Sequence, residues 1–162
     1  MICSILASTS QGGIGNKGTL PWPKHKEDLA WFKKHTTGHI VAMGRKTWDD
    51  PFMPKPLPNR INCIFSTRTL GDYAVRRLSG DASDEIKTLQ GQFPDKNVFV
   101  IGGQSLYEST ENVVERVLLT RMKGNWWCDT RINLDRYLTC FQLKSVTPGE
   151  NCTYEVWDRV IF

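Results

Sequence analysis

The chain has 162 residues, 40% hydrophobic and 23% charged, with six tryptophans, which fits one folded domain and excludes a disordered or low-complexity chain. Its net charge of +4 arises from 21 basic and 17 acidic residues spread along the sequence, with no basic arm or helix-turn-helix pattern, so nucleic-acid binding is not expected. No apolar run approaches the roughly 18 residues of a membrane span, the N-terminus lacks a basic segment followed by an apolar core, and five cysteines without C-x-x-C spacing suggest neither a disulfide framework nor a metal site.

Ile2 to Ser8 reads as a short buried strand, followed by the glycine-rich loop Gly12 to Gly18 and then Pro21-Trp22-Pro23. A helix is expected from about Glu27 to Thr36, a strand from His39 to Met43, and a turn opening a helix at Gly44-Arg45-Lys46-Thr47-Trp48. Four prolines between Pro51 and Pro58 require a rigid loop. Further strands are read at 61–65, 97–101 and 113–120, with helices at 83–90 and 105–110. Phe141 to Val146 and Tyr154 to Ile161, joined by residues 148–151, have the pattern of a hairpin. The order implies an α/β protein, a three-layer α/β/α sandwich around a mostly parallel sheet with an antiparallel C-terminal hairpin.

Several segments could carry chemistry. Gly13 to Gly18 matches G-x-G-x-x-G by letter, but Pro21-Trp22-Pro23 prevents the helix that would hold a pyrophosphate, so a hinged lid is the better reading. Gly44-Arg45-Lys46-Thr47 and Ser66-Thr67-Arg68 each follow a strand, where ligands collect in α/β sheets, and their basic groups suit phosphates. Gly102-Gly103 after an apolar strand permits close backbone approach or an unusual peptide geometry before the helix at Ser105. In "KEDLAWFKKHT" two acids stand side by side. At about 100° per residue Asp28 falls in the sector of Leu29, Phe32 and Thr36, whereas Glu27 turns toward solvent and the helix dipole. A carboxylate among Leu29, Phe32 and Trp22 is desolvated, which raises its pKa toward the range useful for proton chemistry.

The strings "GIGNKGTLPW", "DLAWFKKHT", "MGRKTW", "PLPNR", "IFST", "VIGGQSLY", "LLT" and "DT" occur in the order and spacing of dihydrofolate reductase, which the chain resembles over essentially its whole length. The resemblance implies a single domain over 1–162, an eight-stranded sheet, and reduction of 7,8-dihydrofolate to tetrahydrofolate by NADPH, in support of one-carbon metabolism and thymidylate synthesis. It also implies an antifolate target acting as a cytoplasmic monomer, with small-molecule ligands and no nucleic-acid or membrane partner.

By the same resemblance, the acid lies five or six residues after the tryptophan, which admits either Glu27 or Asp28; the helix face selects Asp28. Asp28 would orient the pterin, with Thr120 bracing it and Trp22 as the third catalytic position. Ile5, Leu20, Leu29, Phe32, Met53, Leu57, Ile101 and Tyr107 would wall the substrate pocket, with Arg60 clamping the glutamate tail and Lys55 beside it. Ala7, Ile14, Gly15, Asn16, Gly18 and Thr19 would close over the cofactor. Gly44, Arg45, Lys46, Thr47, Ser66, Thr67 and Arg68 would hold its adenosine phosphates. Ile101, Gly102, Gly103, Gln104, Ser105, Leu106 and Tyr107 would hold its pyrophosphate and nicotinamide. Asp129 matches an acid that hydrogen-bonds the lid, preceded by the unusual Trp126-Trp127, and Gln104 stands where many members have a third glycine. A reductase of another heterocycle, or a non-catalytic folate or nucleotide binder, would share the fold; Asp28 with Arg60 is what points to folate.

Overall fold

The computed structural model describes residues 1–71, 73 and 75–160. Eight strands form one sheet in the order β5-β4-β3-β6-β1-β7-β10-β9: β1 (Ile2–Thr9), β3 (Ile40–Gly44), β4 (Ile61–Phe65), β5 (Arg76–Leu78), β6 (Val98–Val100), β7 (Arg116–Met122), β9 (Phe141–Gly149) and β10 (Cys152–Arg159). Neighbours from β5 to β7 are parallel, and β10 joins antiparallel between β7 and β9.

The parallel strands read as unbroken apolar runs because both faces of the sheet are covered. Along β1, Ile2 and Leu6 enter the core shared with α3 (Ala82–Gln92), α4 (Gln104–Thr110) and α5 (Leu134–Tyr137), whereas Cys3 and Ile5 enter the opposite core. That second core contains Val41, Met43, Ile64 and Phe99, with Trp48 from α2 (Arg45–Trp48) and partly buried Trp31 and Phe32 from α1 (Lys26–Thr36). Two helical layers therefore enclose the sheet. Hydrogen bonds cross the buried layers at named points: Tyr137 donates to Ser4 Oγ over 2.9 Å, and the Asn62 side chain bonds Leu57 N, Leu57 O and Arg60 O.

Several expectations need correction. The supposed lid loop contains a strand, β2 (Gly13–Gly15), paired antiparallel with β8 (Thr130–Arg131). β5, β8 and α5 were not apparent as elements. β7 begins at Arg116 rather than Val113, because Val113 N–H instead closes a turn on the Thr110 carbonyl. The hairpin loop is only Glu150-Asn151, and Pro148 sits within β9, which tolerates it as an edge strand. The expected continuation of the last strand to Ile161 lies outside the described residues. Among the described residues, no helix is long and apolar enough to cross a membrane.

Candidate active site

α1 begins at an unusual cap. His25 Nδ1 accepts from the Asp28 amide over 3.0 Å, doing the work usually given to a serine or aspartate side chain. The helix ends where the Thr37 amide bonds the Lys33 carbonyl, with Lys33, Lys34 and His35 in its last turn. This frame delivers Asp28 to β7. The Thr120 hydroxyl donates to Asp28 Oδ1 over 2.8 Å, and Thr120 is 1% exposed. Burial pushes the Asp28 pKa upward; the Thr120 hydrogen bond and nearby His25 oppose that rise, and the Glu27 charge adds to it. Trp22 is buried, and among the described residues its indole N–H has no partner.

Glu27 is exposed, as its helix face implies, and it also has partners that the sequence did not reveal. Its Oε1 accepts from the Tyr154 hydroxyl at 2.9 Å and from the Glu150 amide at 3.1 Å, so it ties α1 to the hairpin. His25, Tyr154 and Glu150 had not been singled out, since their partners lie on distant segments.

Arg60 stands just before β4, with its Nε donating to the Pro58 carbonyl at 2.9 Å and Nη1 to Thr36 Oγ1 at 3.0 Å, while its guanidinium lies 5.9 Å from the Phe32 ring centre. Those contacts orient the group and leave Nη2, with the remaining Nη1 hydrogen, as an end-on fork for a carboxylate. Desolvation by burial lowers its pKa, while the ring face favours the cation. Lys55 Nζ lies 5.8 Å over the Trp48 ring, so an aromatic contact occupies it. Ile5 and Leu57 are buried, and Phe32, Met53 and Ile101 pack against the same core, whereas Leu20 and Leu29 are each 42% exposed.

The second cluster forms where β3, β4 and β6 end side by side. Gly44 N–H donates to the Gly102 carbonyl over 2.8 Å, and the Gly102–Gly103 peptide is cis. Gly102 has φ +134°, which calls for glycine, and a Cβ there would also crowd Thr47 Oγ1 at 3.0 Å. Arg45 donates to both carboxylate oxygens of Asp49, to Ser66 Oγ at 3.2 Å and to the Thr69 carbonyl, which joins α2 to the loop after β4. Arg77 Nη1 donates to the Ser66 carbonyl at 2.8 Å and brings another cation to this loop that motif reading overlooked. Among the described residues, the side chains of Lys46, Thr67 and Arg68 have no hydrogen-bond partner. The donors and the glycine cradle together fit a phosphorylated dinucleotide.

Gln104 folds back along α4, its Nε2 bonding Glu108 Oε1 at 3.0 Å, and so leaves the helix start clear. Tyr107 is buried beneath this turn and donates to the Ile5 carbonyl over 2.9 Å, making it a support of the pocket wall. Ala7 is partly buried against the core around Trp22. The Leu106 side chain is also buried, which leaves its backbone amide, with those of Gln104 and Ser105, as the group it can offer.

In the lid, Asp129 Oδ2 accepts from Lys17 N–H at 2.8 Å while Asp129 N–H donates to the Gly15 carbonyl at 3.0 Å, adjoining the β2–β8 pair. The expected acid-to-lid contact is present. Ile14, Gly15 and Asn16 are partly buried and Asn16 bridges to Thr19, whereas Gly18 is exposed at φ +80°. Trp126 and Trp127, 37% and 86% exposed, leave this contact intact.

The family model described as Dihydrofolate reductase matches residues 1–154. The chain is 38% identical over 153 residues to a bifunctional dihydrofolate reductase-thymidylate synthase of Paramecium tetraurelia, covering 91% of this chain but only 31% of that protein's length. It is 31% identical to the Escherichia coli protein named dihydrofolate reductase type 8 (93% of this chain, 91% of that one) and 33% identical to the dihydrofolate reductase of Sus scrofa (96% of each). Among solved structures it resembles dihydrofolate reductase from Enterococcus faecalis complexed with NADP(H) and RAB-propyl, with a TM-score of 0.83, 26% identity, and 98% and 96% of the two chains covered.

Proposed function

The chain belongs to the dihydrofolate reductase family, and from that premise we propose that Asp28, Thr120 and Arg60 bind dihydrofolate, with the glycine and basic clusters at the ends of β3, β4 and β6 binding NADPH. The reaction reduces 7,8-dihydrofolate to 5,6,7,8-tetrahydrofolate. NADPH, when bound, supplies the hydride. The observation that carries the residue assignment is the Asp28–Thr120 hydrogen bond on the sheet face covered by α1.

Thr120 occupies one lone pair of Asp28 Oδ1, so Oδ2 and the other Oδ1 lone pair remain for two N–H donors on the pterin edge. The negative charge of the Asp28 carboxylate beside the ring favours its protonation, and water delivers the proton to N5. The buried Trp22 indole N–H offers a further donor to the bound ring or to that water. The Arg60 fork holds the glutamate tail, fixing the ring's register along the pocket. Arg45, Lys46, Thr47, Ser66, Thr67 and Arg68 favour a phosphorylated nicotinamide cofactor, and residues 14–19 close over it to exclude water. In this reading the chain acts as one reductase domain across residues 1–162, as a cytoplasmic monomer without nucleic-acid or membrane partners. The test is NADPH oxidation followed by absorbance on adding dihydrofolate: turnover supports the reading, and its absence in the purified protein defeats it.

A further inference from the structure

The mechanism above uses one of the two adjacent carboxylates on α1. The other, although exposed, is also held by hydrogen bonds. Glu27 accepts from Tyr154, which is 5% exposed and is the direct cross-strand partner of Thr120, the residue that holds Asp28. Two neighbouring acids on one helical turn are thus gripped by two residues facing each other across β7 and β10.

Glu150, at the hairpin tip, commits both backbone groups to the same turn. Its N–H donates to Glu27 Oε1 at 3.1 Å, and its carbonyl lies 2.6 Å from His25 Nε2. Because His25 Nδ1 accepts the Asp28 amide, the ring proton resides on Nε2, which donates to that carbonyl. Gly149 leaves the necessary room: a Cβ there would meet Tyr154 Cε2 at 2.4 Å and Glu27 Oε1 at 2.5 Å. An ordinary first-turn glutamate is satisfied by water and the helix dipole and needs none of this.

We propose that Glu27 is a positioning residue for the reaction: clasped by Tyr154 and Glu150, it seats Asp28 against Thr120 and keeps a fixed negative charge beside it. The proposal rests on the reading of Asp28 as the pterin-binding acid. The titratable groups around Asp28 are His25 ahead of α1, Glu27 on it, and Cys152 and Tyr154 on β10, with Lys123 near Cys152. Hydrogen bonds from Glu150 and Tyr154 hold Glu27 below the usual carboxylate range, so it stays charged while Asp28 titrates.

Glu27→Gln preserves the acceptor and removes the charge; Tyr154→Phe preserves the ring and removes the donor. For each variant, the Asp28 carboxyl is titrated by carbon-13 NMR in the ligand-free protein, alongside the pH dependence of single-turnover hydride transfer. In Glu27→Gln the Asp28 midpoint should fall by about half a pH unit, as expected for losing a like charge at the edge of water, and the rate profile should move with it. Tyr154→Phe, which frees the carboxylate to solvent, should shift both in the same direction by less and carries the test if Glu27→Gln does not fold. Midpoints at the wild-type value in the folded variants, even with a lowered Tm, overturn the proposal and leave a structural brace. Absence of turnover in the wild type, with the NMR midpoint still moving, overturns the reaction reading instead and leaves the clasp standing.

Discussion

The Thr120 hydroxyl reaches Asp28 Oδ1 over 2.8 Å from a position that is 1% exposed, so water competes little for the bond. This donor stabilises the charged carboxylate and opposes the rise caused by burial. Thr120→Val should therefore raise the Asp28 pKa further and move the midpoint of the rate profile to higher pH. Loss of the bond is expected to weaken substrate binding by about 1 kcal/mol, or about fivefold. Measuring kcat/KM against pH checks both, and a midpoint that stays or falls contradicts the assignment.

Asp28→Asn separates stability from activity. Because the folded-state pKa of Asp28 is raised, the folded protein binds more protons than the unfolded chain between the two pKa values, and stability falls as pH rises through that window. The neutral amide escapes that cost. Thermal unfolding should show Asp28→Asn more stable than wild type at neutral pH, with the difference shrinking as pH falls through the raised Asp28 pKa and gone below the ordinary aspartate value, while turnover at neutral pH is largely lost. An unchanged difference across pH would refute the burial argument.

Arg60→Lys tests the glutamate clamp. A lysine keeps the charge but has no planar fork, and it cannot reproduce the contacts with Pro58 and Thr36 together. The KM for dihydrofolate should rise about thirtyfold, equivalent to about 2 kcal/mol. A dihydropterin lacking the glutamate should be turned over equally by both proteins. Equal losses for the two substrates would place Arg60 in general folding support.

Asp129 should hold the lid while ionised. The Lys17 amide, the largest influence, and Thr130 keep its pKa below the usual value, so its contribution is present at neutral pH and lost as pH falls through that lowered pKa. Asp129→Ala should accelerate hydrogen exchange at the Lys17 amide and hasten NADPH release several-fold. Unaltered exchange at Lys17 would show that the β2–β8 pairing alone holds the segment.

The sheet was largely legible because its parallel strands are buried on both faces and read as apolar runs, as in Ile2 to Ser8. Asp28 could be separated from Glu27 because helical periodicity is a local property. The partners of Glu27 could not be foreseen: Tyr154 and Glu150 lie 127 and 123 residues away, and nothing at "KED" records them. β2 and β8 have three and two residues, too few for alternation to show, and β5 begins with two arginines. Val114 is fully buried in the link between the turn at 110–113 and the strand, which made residues 113–115 resemble the start of β7. Arg77 escaped notice because its contact with Ser66 depends on β5 pairing beside β4.

The most direct measurement is single-turnover hydride transfer from NADPH to dihydrofolate, compared across pH for the wild type and Asp28→Asn. The expected result is a wild-type rate that falls as pH rises, and an Asp28→Asn rate strongly depressed at neutral pH that recovers partly in acid, where the substrate itself becomes protonated. An Asp28→Asn protein with the wild-type rate and pH profile would contradict the central claim.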